Sequence, residues 1–210
     1  MDFNVEKEIF VEKLLELTKT VASQQTAGNE EEVEKLMTIY RSALDLFWQD
    51  ESNHALIEKM FNLCKEKDIQ QALSVMTEDD LFALGEYAET FFAKGELVET
   101  SYLFQFLTLV CPGGVPHPYP YTMLGAALSG IDIKAGVQMY DFVLNIFPDN
   151  PMMLVSACDT YHADGNDARA LELLKHAREV CDKHIAETPE LQTIIDQIEL
   201  KTKEINEPAS

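Results

Sequence analysis

The side chains with the most chemical potential are His176, Cys181 and His184, which fall within one short stretch. Cys181 and His184 lie three residues apart, so on a helix they share a face and could supply two ligands to a zinc ion. A structural zinc site needs four, and no C-x-x-C pair accompanies them among Cys64, Cys111, Cys158 and Cys181. Ordinary surface histidines on a helix are the simpler reading. Acidic pairs are abundant, but a chain with 37 Asp and Glu produces them by number alone, so none is singled out for acid–base work. G-x-S-x-G, H-E-x-x-H and a glycine-rich phosphate loop are absent from the sequence. The chain reads as no enzyme, with no cofactor and no metal.

The elements that would position these residues are helices. Three stretches, starting near Leu81, His117 and Pro151, repeat one pattern at a spacing of about 34 residues. The first carries Leu84, Tyr87, Ala88, Phe91, Gly95, Phe104 and Pro112. The third carries Leu154, Ala157, Cys158, Tyr161, Gly165, Ala170, Leu174 and Ala177. The middle copy keeps Gly136, Tyr140, Val143 and Pro148, but its first helix, around Leu124 to Leu128, reads one residue short before the turn. This is the register of a tetratricopeptide repeat. The predicted fold is all-α: a solenoid of three such helix hairpins with an N-terminal helical lead-in and a C-terminal capping helix. Its parts are residues 1–79 as lead-in, 80–184 as repeats and 185–210 as capping helix and tail.

In the lead-in, Phe10, Leu14, Leu17 and Val21 mark one helix face, and Val33, Leu36, Met37, Tyr40, Leu44 and Phe47 a second. Asn29 followed by Glu30, Glu31 and Glu32 reads as a capped, solvated helix start. Leu56, Met60, Leu63 and Leu73 mark a third helix, and Trp48 reads as a packing contact. Thr77 to Asp80 caps the first repeat helix, and Asn150-Pro151 pairs an N-cap with proline at N1. Thr188-Pro189 opens a last helix with Leu191, Ile194, Ile195, Ile198 and Ile205 on its apolar side, suited to sealing the end of a solenoid.

Composition narrows the partners. Hydrophobic residues make up 46 % of the chain, enough for a sizeable core. Sixteen Lys and Arg against 37 Asp and Glu leave a net charge of −21, which repels nucleic acid and anionic membranes. No apolar run approaches the roughly 20 residues of a membrane span, so no membrane insertion is expected. The acidic start, Met1 to Glu6, lacks an apolar signal core, and a cytoplasmic location is the simplest account.

Stacked hairpins create a concave surface from the first helix of each unit, and such surfaces hold polypeptides. The second, fifth, ninth, twelfth and thirteenth positions of each unit face it. These are Phe82, Gly85, Glu89, Phe92 and Ala93, then Pro118, Tyr121, Gly125, Leu128 and Ser129, then Met152, Val155, Asp159, His162 and Ala163. The cargo-binding residues expected from this set are Phe82, Glu89, Phe92, Tyr121, Leu128, Met152, Asp159 and His162. Aromatic and apolar pockets with a few acids suit an extended segment whose alternate side chains enter pockets.

The stretch from Asp80 to about Cys181 resembles the class II chaperones of bacterial type III secretion, small acidic repeat proteins that hold translocator subunits before export. The likeness rests on the three-repeat count, on LGAAL in the second repeat and on NPMMLVSACDTYHADGN in the third. The resemblance implies a bacterial cytoplasmic chaperone without ATPase activity. It also implies a homodimer formed through the N-terminal helices and a secreted or translocator-type cargo in the groove. Phe82, Phe92, Tyr121 and Leu128 would line pockets, with Glu89 and Asp159 as polar contacts. The lead-in is longer than the family pattern, which leaves room for a different dimer mode or a different cargo. A scaffold bridging folded components of a secretion apparatus is the alternative.

Overall fold

The computed structural model describes residues 77–109, 111 and 115–207, together with helical positions 12, 16, 19, 30, 31, 33, 34, 37, 38 and 41. All regular structure among them is helical, so the all-α expectation holds. The helices are α1 (Glu78–Ala93), α2 (Leu97–Leu109), α3 (Pro118–Ile131), α4 (Ile133–Ile146), α5 (Pro151–Ala163), α6 (Asp167–His184) and α7 (Leu191–Asn206). The chain divides between His117 and Pro118 into two compact units.

In the first unit, α1 and α2 form an antiparallel hairpin. Thr77 starts α1 with a reciprocal cap: its hydroxyl accepts from the Asp80 amide at 3.2 Å, and the Asp80 carboxylate accepts from the Thr77 amide at 2.9 Å. Leu81, Leu84, Ala88 and Phe91 bury one face of α1, and Leu103, Phe104, Phe106 and Leu107 bury one face of α2. The turn between them, Lys94-Gly95-Glu96, needs a left-handed residue, and Gly95 supplies it at φ 77°. Farther upstream, the Arg41 guanidinium pairs with the Glu12 carboxylate, and Val33 is buried. The remaining apolar positions of the three lead-in helices, with Trp48 and Cys64, lie outside the described residues.

The second unit stacks two hairpins and a single helix. α3 packs on α4, and α5 packs on both of them; α6 packs on α5, and α7 packs on both of those. One core cluster runs through Tyr140 and Val143 of α4, Met153, Leu154, Ala157, Cys158 and Tyr161 of α5, and Leu173, Leu174 and Ala177 of α6. Ile195, Ile198 and Ile205 of α7 close it. Asn150 caps α5 by accepting from the Met153 amide at 3.0 Å, with Pro151 at the first helical position. Gly165, at φ 79°, turns α5 into α6 as Gly95 turns α1 into α2. α7 begins at Leu191, after a turn in which the Leu191 amide donates to the Thr188 carbonyl at 3.1 Å.

The α3–α4 connection differs from the other two. A single residue, Asp132, separates the helices, where α1–α2 and α5–α6 have three. Asp132 is extended and its carboxylate accepts from the Lys134 amide at 2.9 Å, so one side chain serves as both turn and cap.

Candidate binding surface

The face of α1 turned away from α2 carries Phe82, Glu89 and Phe92. Residues 81, 84, 85, 88 and 91 point into the hairpin, which leaves positions i, i+7 and i+10 outward. Phe82 is 41 % exposed and Phe92 37 %, large apolar surface for a helix with a satisfied core. The Phe82 ring meets the His117 ring edge-on, with centroids 5.7 Å apart and planes at 88°. Glu89 lies between the two phenylalanines in sequence and is exposed.

On α5 the same spacing recurs in Met152, Asp159 and His162. Met152 is 48 % exposed, and the opposite side of the helix is buried at Leu154, Ala157, Cys158 and Tyr161. The polar members have partners within the unit. Asp159 forms an ion pair with Lys201 of α7, and His162 Nδ1 lies 2.6 Å from Asp167 Oδ1 at the start of α6. Asp167 also sits in the first turn of its helix, where a carboxylate complements the dipole.

Tyr121 and Leu128 of α3 do not share this outward placement. Between them lies Gly125, where an added Cβ would sit 2.6 Å from Tyr140 Cζ, so that stripe of α3 is the one pressed on α4. The Tyr121 ring packs 5.9 Å from that of Phe147 at the end of α4. Leu128 is half-buried, one turn beyond Gly125. The cause is the one-residue turn: counting back from Gly136 and Tyr140 across Asp132 displaces the register of α3 by one position. Gly85, Gly125 and Val155, expected at the groove, are buried.

Two lateral contacts tie the first helices of the second unit together, and sequence periodicity pointed to neither pairing. Ser129 Oγ of α3 and Thr160 Oγ1 of α5 are 2.7 Å apart, and Lys201 of α7 meets Asp159 of α5. Tyr140 reaches from α4 to donate to the Thr122 carbonyl at 3.0 Å. Burial pushes its phenol well above the ordinary range, and the nearby Asp159 carboxylate pushes it further. Burial likewise holds the Cys158 thiol up at about 12, reinforced by Asp159, so it packs as a small apolar group. The only clue to Lys201 in the sequence was its place beside the apolar stripe Ile195, Ile198 and Ile205.

Energetically the two kinds of contact differ. Each buried isoleucine of α7 is worth about 1.5–3 kcal/mol, whereas a half-exposed ion pair is worth about 0–1 kcal/mol. Apolar burial docks α7, and Lys201 contributes little to holding it there.

His176, Cys181 and His184 do not converge. His176 Nε2 pairs with Asp149 at 2.8 Å, Cys181 is buried and His184 is exposed. Among the described residues no group of three or more His, Cys, Asp or Glu is placed to hold a metal ion. No described helix is long and apolar enough to cross a membrane.

No family model, no curated protein and no solved structure matches this chain.

Proposed function

We propose that the hairpins are tetratricopeptide repeats and that the chain is a stoichiometric chaperone for an export-bound protein, of the kind that serves type III secretion in the bacterial cytoplasm. It would bind extended segments of its cargo on the outward faces of its first helices and keep those segments soluble until export. The observation that carries this reading is the repeated i, i+7, i+10 set. Phe82, Glu89 and Phe92 on α1 and Met152, Asp159 and His162 on α5 share an apolar residue at the first position and an acid at the second, with a ring side chain at the third. An extended peptide presents side chains alternately, and such a row offers each a pocket or a polar partner. Binding of this kind needs no turnover and no cofactor. Self-association of two copies through the lead-in belongs to the same proposal.

A scaffold role for folded partners has one observation in its favour. Phe142 and Ile146, one turn apart on α4, are exposed on a second helix rather than on the row of first helices. A tagged pull-down from bacterial cytoplasm, run for wild type beside Phe92→Glu with mass spectrometry, separates the two. A secreted partner that is insoluble alone and lost in the variant supports the chaperone. A soluble resident partner kept by both supports the scaffold and removes the groove.

A further inference from the structure

The ion pair between Asp159 and Lys201 is placed unlike the other cation pairs of this unit. Arg169 pairs with Glu172 within its own helix, and Lys134 with Asp164 beside a turn. Arg178 pairs within α6 with Asp182 and across to Glu199 of α7. Lys201 alone carries its ammonium onto the outward row, to the ninth position of a repeat. Its side chain is 25 % exposed and that of Asp159 58 %, so the lysine is the more enclosed partner and the carboxylate stays open to solvent. A carboxylate open on one side can accept a second cation or exchange the first. Exchange need not undock α7, which its three buried isoleucines hold in place.

We infer that Asp159 is the position at which the bound segment places a lysine or arginine, and that Lys201 occupies this position until the segment arrives. The inference rests on the groove reading above. It assigns the cargo's chemistry as a basic residue among apolar ones, in keeping with a chain of net charge −21. It also makes α7 a built-in competitor as well as an end cap. A cargo lysine displaces Lys201 like for like, so charge is conserved at the site and the cost of opening it is small.

The test uses the full chain and a labelled peptide alternating lysine with leucine, beside its glutamine counterpart, followed by fluorescence anisotropy. Lys201→Gln is expected to bind the lysine peptide about fivefold tighter than wild type, the size of one removed surface pair. Lys203→Gln removes the same charge from the same helix and is expected to leave affinity unchanged. Asp159→Asn is expected to erase the gain from Lys201→Gln. Lys201→Arg, which keeps the pair, should match wild type, and melting curves confirm that all variants fold. An equal gain in Lys203→Gln, or no gain in Lys201→Gln, overturns the inference. Equal binding of both peptides by every variant overturns it too while leaving the groove standing. No binding of either peptide by any variant brings down the groove reading and the inference together.

Discussion

Ser129 on α3 and Thr160 on α5 join two neighbouring hairpins through their hydroxyls, 2.7 Å apart. The Ser129 hydroxyl donates to the Gly125 carbonyl at 2.7 Å, so its oxygen is left to accept from Thr160. Thr160 is buried, and water cannot replace its partner cheaply.

Ser129→Ala should therefore cost about 1–2 kcal/mol in urea unfolding, by orphaning the Thr160 donor. Thr160→Val keeps the shape and removes the donor. The double variant should lose less than the sum of the two, and full additivity would mean the hydroxyls do not interact.

The α3–α4 crossing is set by two glycines. At Gly136 an added Cβ would stand 2.7 Å from the Ser129 Cα, a backbone atom that cannot rotate away. At Gly125 it would meet the Tyr140 ring at 2.6–3.0 Å. Gly136→Ala should cost about 3 kcal/mol or more and Gly125→Ala about 1–3 kcal/mol. Gly95→Ala, in open space but at φ 77°, should cost only about 1 kcal/mol. The order of the three melting temperatures checks the geometry.

Alkaline pH should destabilise the second unit. Cys158 and Tyr161 are each raised to about 12, well above the ordinary thiol and phenol values. Burial is the largest cause for both, and for Tyr161 the hydrogen bond to Asp141 adds to it. A raised acid keeps its proton in the folded state, so its stabilising contribution is whole below the unfolded value. That contribution then falls as pH rises from about 9 through about 12. Melting temperature should hold level through neutral pH and decline across that window. Tyr161→Phe should make the decline shallower, and an unchanged slope would exclude Tyr161 as a source.

Phe92→Glu should abolish peptide binding while far-ultraviolet circular dichroism stays at the wild-type value, because Phe92 lies on the exposed face of α1. Loss of helicity would place its ring in the core. Asp132→Ala keeps the residue of the turn but removes its capping carboxylate, and should cost about 1–2 kcal/mol.

The helices could be read in the sequence because their signals are local. Leu84, Ala88 and Phe91 mark a buried stripe, Asn150-Pro151 marks a start, and Gly95 and Gly165 mark turns that need positive φ. The register of α3 was harder to read. A unit one residue short looks the same whether the loss falls in helix or turn, and only the contact of Gly125 with Tyr140 decides it. The lateral ties were illegible for a different reason. Asp159 and Lys201 stand 42 residues apart, and Ser129 and Thr160 stand 31. No period links such pairs, and hydroxyls and surface charges carry no patterning signal until the helices are side by side.

α7 lies against both helices of the preceding hairpin, as α5 lies against α3 and α4. It thus docks on that hairpin as the leading helix of a further unit would. For protein engineering this makes Asn206 a splice point. A designed turn and amphipathic helix fused there could pack on the exposed side of α7 around Leu200, once the polar residues beside it were made apolar. The array could then be lengthened without rebuilding its existing core, in the way a zip is extended from its last open tooth.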